Sequence, residues 1–297
     1  MGEVFLKLSK PRGAWVVLGF ALTFIAVLGG LAWVVGGELS APAPRSIGVP
    51  PASLGAEAIT FPSSSGSLIH GWYVPGSTGQ GAVLLLHGVR GARRDMLSRA
   101  EFLHGLHYSV LLFDFQASGE SPGDRITFGD RESLDVVAAL AELKRRAPGE
   151  RVGVIGVSLG AAAFVLAKGR PPVDAVILES MYPTIEQAVR DRLRLHLGPI
   201  GPVLAPLLMM QIHARLGISA ERLRPIDQVG AIGAPVLIIS GTRDEHTTLE
   251  EARAIFAAAH APKTFWAVED AAHVNMHSYA KAEYERRVGE FLARNLK

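Results

Sequence analysis

The chain has 297 residues, 48% hydrophobic and 20% charged, which suits one large globular domain with an appendage. Its 30 Lys and Arg stand against 28 Asp and Glu for a net charge of +2, and no basic stripe marks a nucleic-acid partner. Cysteine is absent, which excludes disulfides, a thiol nucleophile and cysteine-held metals.

Residues 14–35 read AWVVLGFALTFIAVLGGLAWVV and carry no charge. At ~1.5 Å per residue, a helix of that length spans about 33 Å, enough for a hydrocarbon core of about 30 Å. Trp15 and Trp33 lie near its ends, where indoles favour the membrane interface. Lys7, Lys10 and Arg12 precede it against Glu3 alone, so the positive-inside rule puts residues 1–13 in the cytoplasm and the rest outside. The expectation is a single-pass signal anchor. A cleaved signal peptide is the alternative: Ala41-Pro42-Ala43 resembles a cleavage site, although Pro44 after the cut is unfavourable and the apolar run is long for a signal. A buried core helix would show a polar face, and this segment has none.

Residues 36–56 are rich in Gly, Pro, Ser and Ala and read as a linker. From 57 onward a domain begins. Stretches 58–61 and 68–74 flank SSSGS and predict an antiparallel hairpin. Strands are then expected at 82–86, 109–113, 151–157, 175–178, 235–239 and 264–268. Helices are expected at 96–106, with Asp95 as N-cap, and at 131–146, 159–167, 249–259 and 279–296. A hairpin followed by strand–helix repeats implies an α/β fold. Its sheet is mostly parallel with an antiparallel N-terminal edge, and helices cover both faces. Residues 184–233 break the rhythm with about two helices and no clear strand. They read as a small helical cap over the C-terminal ends of the strands, where open α/β sheets bind ligands.

The stretch Gly156-Val157-Ser158-Leu159-Gly160 sits between a predicted buried strand and a predicted helix. A sharp turn there holds the serine hydroxyl up, and glycines two before and two after relieve the crowding. The helix N-terminus aims N–H groups at the same point, where an oxyanion can be stabilised. Serine needs a base, and the base needs an orienting acid.

LLLHG at 84–88, FDFQASGES at 113–121, GVSLG at 156–160, ISGTRD at 239–244 and AAH at 271–273 together carry a resemblance. The chain from 57 to its end is similar to α/β-hydrolases, most of all to bacterial membrane-anchored serine hydrolases of the esterase, lipase and serine-aminopeptidase kind. The resemblance implies nucleophile Ser158, acid Asp244 at the end of a strand, and base His273 in the loop before the last helix. It also implies an oxyanion hole from the backbone N–H groups of Val89 and Leu159, and a structural rather than catalytic His87. Glu245 and Asp270 are rivals for the acid, and His246 and His277 for the base; the two histidines read as surface residues. FDFQASGES departs from the usual pattern, with Gln116 in place of an arginine, and its Asp114 reads as structural. Arg90, Arg93 and Arg94 read as a solvated helix entrance rather than a contact for an anionic substrate. Met209 and Met210 read as cap packing rather than an acyl pocket.

The implied reaction is hydrolysis of a carboxylic ester, a lipid ester or thioester included, through an acyl-enzyme. No metal or other cofactor is expected. Peptidase or acyltransferase chemistry is the alternative; an aminopeptidase would need cap acids such as Glu186, Asp191, Glu221 or Asp227 to hold a free amine. A membrane-tethered binding protein without catalysis is the third reading.

Overall fold

A computed structural model describes residues 12–297. It divides into two compact units at Leu39 and Ser40. The first holds the helix α1, Arg12–Ser40, nearly all of it. From Trp15 to Ser40 it is long and apolar enough to cross a membrane, and its most apolar stretch is unburied. The segment expected in the cytoplasm lies, as far as residue 11, outside the described residues.

The second unit is built on one eight-stranded sheet: β1 (Glu57–Pro62), β2 (Leu68–Val74), β3 (Ala82–Leu86), β4 (Ser109–Phe113), β5 (Val152–Val157), β6 (Ala175–Glu179), β7 (Val236–Gly241) and β8 (Lys263–Val268). Their order is β8-β7-β6-β5-β3-β4-β2-β1. The β1–β2 and β2–β4 pairs are antiparallel and every other pair is parallel. All five residues of β3 are fully buried, because alternate side chains enter different cores. Ala82, Leu84 and Leu86 face one core and Val83 and Leu85 the other. The first core is covered by α3 (Asp130–Arg146), α4 (Leu159–Leu166) and α7 (Leu249–Ala258). The second is covered by α2 (Leu97–Gly105) and the C-terminal α9 (Lys281–Leu296). Between them, α8 is the short turn Met276–Tyr279.

Two expectations need correction. The stretch 36–56 is not a free linker. Its first residues continue α1 to Ser40, since no proline intervenes before Pro42. Ala43 and Pro44 then pair in parallel with Ser118 and Gly119, and Ile47 and Leu54 are buried. Composition rich in Pro and Gly concealed these few apolar anchors. Asp95 is not the N-cap of α2 either. A 3-10 turn, Arg93–Met96, precedes the helix, and Asp95 Oδ2 accepts the Ala92 N–H at its start.

The insertion 184–233 holds α5 (Ile185–Leu197), a 3-10 stretch Gly198–Leu204, α6 (Ala205–Leu216) and three short turns. Thr184 caps α5 by accepting the Gln187 N–H. Met209 packs against the small core of Ile185, Ile212, Ile218 and Leu223, while Met210 is 74% exposed.

Candidate active site

The topology brings four loops to one edge of the sheet. β3 lies between β4 and β5, so the chain reverses its direction of travel there, and the loops after β3 and β5 open side by side. The loops after β7 and β8 follow along the same edge.

Ser158 stands at the end of β5 with φ 50° and ψ −109°, a backbone conformation rare for a residue with a side chain. Its N–H donates to the Glu179 carbonyl and its carbonyl accepts the Ala162 N–H, so both sides of the strained residue are tied. The flanking glycines are required by space. A Cβ on Gly156 would lie 2.7 Å from Ala161 Cα, and one on Gly160 would lie 2.5 Å from the Leu86 carbonyl oxygen. The helix α4 can therefore start directly against the end of β3.

Asp244 follows β7 and is 4% exposed. Its Oδ1 accepts the N–H groups of His246 and Thr247, each at 2.9 Å, and its Oδ2 accepts the Thr247 hydroxyl. The same Oδ2 lies 2.8 Å from His273 Nδ1. Burial works against ionisation of Asp244, but the His273 hydrogen bond and charge and the two Thr247 donors outweigh it and hold the carboxyl below its ordinary value. His273 lies in the loop after β8. It lines, with Ser158, Val89 and Gly88, a cavity of about 280 Å³. Leu159 provides the first N–H of α4, which has no intrahelical partner, and the Val89 N–H has no backbone partner among the described residues.

The rival residues are elsewhere. Asp270 is half-exposed and paired with Arg243, and Glu245 is exposed. His246 and His277 are not surface residues as expected. His277 is 3% exposed, bonded to Glu285 and stacked on Phe102, because α8 folds it under α9. His246 is half-buried with its ring 5.1 Å from that of His273, and burial and the neighbouring Arg192 and His273 charges lower its pKa. His87 is fully buried: Nε2 accepts the Phe115 N–H, so Nδ1 carries the proton and donates to the Gly88 carbonyl. That bond shapes the loop leading to Val89. Arg93 is no solvated entrance. It is 3% exposed, paired with Asp114 and Glu120 and stacked over Trp72. Gln116 bonds the Arg125 carbonyl and Glu132.

Two features escaped the sequence. Arg99, 1% exposed, lines the cavity and is bound by Glu179, Tyr284 and Asn275. Arg192 of α5 also lines the cavity. The four acids considered for an amine, Glu186, Asp191, Glu221 and Asp227, are all missing from its lining.

Residues 83–287 match the model of the alpha/beta hydrolase family. The chain belongs to this family. Among curated relatives, the uncharacterized protein Rv2307c of Mycobacterium tuberculosis is 30% identical, over 78% of this chain and 76% of that protein. The uncharacterized protein YqkD of Bacillus subtilis is 25% identical, over 79% of this chain and 78% of that protein. Among solved structures of the same fold, the esterase Pf2001 of Pyrococcus furiosus superposes with a TM-score of 0.71 at 25% identity, covering 87% of this alpha/beta hydrolase and 99% of that chain. The esterase domain of a Rhodothermus marinus protein has a TM-score of 0.60 at 23% identity, over 82% of this chain and all of that one.

Proposed function

We propose that the protein hydrolyses carboxylic esters through an acyl-enzyme on Ser158. The observation that carries this reading is the 2.8 Å bond between Asp244 and His273 Nδ1, with His273 and Ser158 lining one cavity. Membership of the family and likeness to the Pyrococcus furiosus esterase support it.

In the proposed mechanism His273 Nε2 takes the proton of Ser158 as Oγ attacks the carbonyl carbon. Asp244 fixes Nδ1 as the protonated nitrogen and stabilises the imidazolium that forms. The N–H groups of Val89 and Leu159 hold the oxyanion. His273 then protonates the leaving alcohol, and the acyl-enzyme is released when His273 activates water. The substrate is a small-molecule ester, with lipid esters and thioesters within the same chemistry.

The helix α1 acts in this reading as a retained anchor, with residues 1–13 in the cytoplasm and the catalytic domain on the other side. Its length and composition support that, as does the pairing of Ala43, which a cut after that residue would divide. The deciding experiment measures hydrolysis of p-nitrophenyl esters of increasing chain length by the full chain in detergent, beside Ser158→Ala. Loss of at least about 10³-fold in kcat is expected for the variant, together with loss of fluorophosphonate labelling. Turnover that survives in Ser158→Ala would overturn the mechanism.

A further inference from the structure

α5 presents Ile185 and Ala188 to the cores of the domain. Arg192 follows them at helical spacing, seven and four residues on, and so occupies an inward position where the period calls for an apolar residue. A guanidinium drawn from water needs a partner to offset its lost hydration. No carboxylate lies within ion-pair distance of Arg192 among the described residues, and its Nε is shut off from solvent without an acceptor. Burial lowers its pKa against the opposing charges of Asp244 and Asp191.

Those two acids are engaged with other groups. Asp244 is saturated by His273, Thr247 and His246. Asp191 accepts from Gln187 and faces Glu251. The other charged residues lining the cavity are also committed. Arg99 is bound by Glu179, and Asp95 accepts the Ala92 N–H. Arg192 is thus a cation on the wall that carries Ser158 and His273, with donors still to fill.

We infer that Arg192 is an anion-binding subsite that selects esters carrying a carboxylate or phosphate close to the scissile bond. The inference rests on the ester-hydrolase reading and narrows its substrate class. It also runs against an aminopeptidase, whose cationic amine would meet a guanidinium where it needs a carboxylate.

Two substrate pairs test it on the full chain in detergent. 1-Naphthyl butyrate and 1-naphthyl hemisuccinate share a four-carbon acyl group and differ by a terminal carboxylate. 1-Octanoylglycerol and its 3-phosphate differ by a phosphate on the alcohol side. The wild type is expected to favour the charged member of at least one pair by about tenfold or more in kcat/KM, the effect of one charge-assisted hydrogen bond. Which pair shows it tells an acyl carboxylate from an alcohol phosphate. In Arg192→Met the charged-to-neutral ratio should fall towards one, and Arg192→Lys should keep part of it. Fluorophosphonate labelling of Ser158 verifies that each variant site is assembled, with Arg192→Gln replacing any variant that is not labelled.

A wild type that favours the neutral member of both pairs overturns the inference without any variant. So does a ratio that survives Arg192→Met. Hydrolysis of either pair by Ser158→Ala would instead locate the fault in the serine mechanism, and a wild type that cleaves none of the four esters would overturn both readings.

Discussion

Both oxygens of Asp244 are occupied, one by two backbone N–H groups and the other by Thr247 and His273. An amide in its place would offer His273 a donor or a weaker acceptor, and the imidazole would settle in the wrong tautomer. Asp244→Asn is therefore expected to lower kcat by about 10⁴-fold with little change in fold, measured by ester turnover and circular dichroism. Gly160 is decided by space. An added Cβ would lie 2.5 Å from the Leu86 carbonyl and 2.7 Å from that of His87. Gly160→Ala should destabilise the domain by about 3 kcal/mol or more, since backbone on both sides must shift. Gly105 of α2 meets nothing within 4 Å, so Gly105→Ala should leave the midpoint of denaturant unfolding unchanged or slightly higher. The contrast separates a glycine fixed by packing from one that is replaceable.

Between elements, α5 and α7 meet through two carboxyl groups. Glu251 closes the capping box of α7, its Oε2 accepting the Thr248 N–H, and its other oxygen faces Asp191 of α5. Burial first, then the neighbouring Asp191 charge, push Glu251 up to about 7 against the pull of the Thr248 N–H. An acid whose folded value is raised binds a proton on folding. Stability then falls as pH rises from its ordinary value of 4.5 to about 7, and stays lowered above that. Thermal melts across that window should show wild-type stability falling more steeply than that of Glu251→Gln, which has no charge to bury. Equal slopes would show that Glu251 does not take up a proton on folding.

The sequence revealed the elements more fully than the contacts between them. The strands β3 and β4 fall at the expected residues because unbroken apolar runs ended by glycine or polar residues have few other uses. Ser158 was expected at a strand-to-helix turn, and it stands between β5 and α4. The expected Asp244 and His273 fall in the loops after β7 and β8, which short apolar strands flanked by polar residues made legible. Arg93 and Arg99 were hidden because a charge reads as surface until its buried partners, Asp114 and Glu179, are seen beside it. Arg192 left a trace, a charge at the inward spacing of an amphipathic helix, but periodicity alone could not say that a cavity lay beneath it.

For the whole molecule, α1 and the domain impose separate demands. An unburied apolar helix is stable in a bilayer and costly in water. The chain should stay in the membrane fraction through carbonate washing, and protease added outside should digest the domain while sparing residues 1–13. A soluble fragment lacking residues 1–43 would show a cleaved signal instead.

The contacts at Gly156 and Gly160 have a further use, in protein engineering. The frame that presents Ser158 is fixed by backbone against backbone, while the same cavity is also lined by side chains such as Arg192 and Val274. A mutagenesis library that varies positions 192 and 274 and leaves 156 and 160 untouched is expected to alter substrate choice without disturbing the turn that presents Ser158.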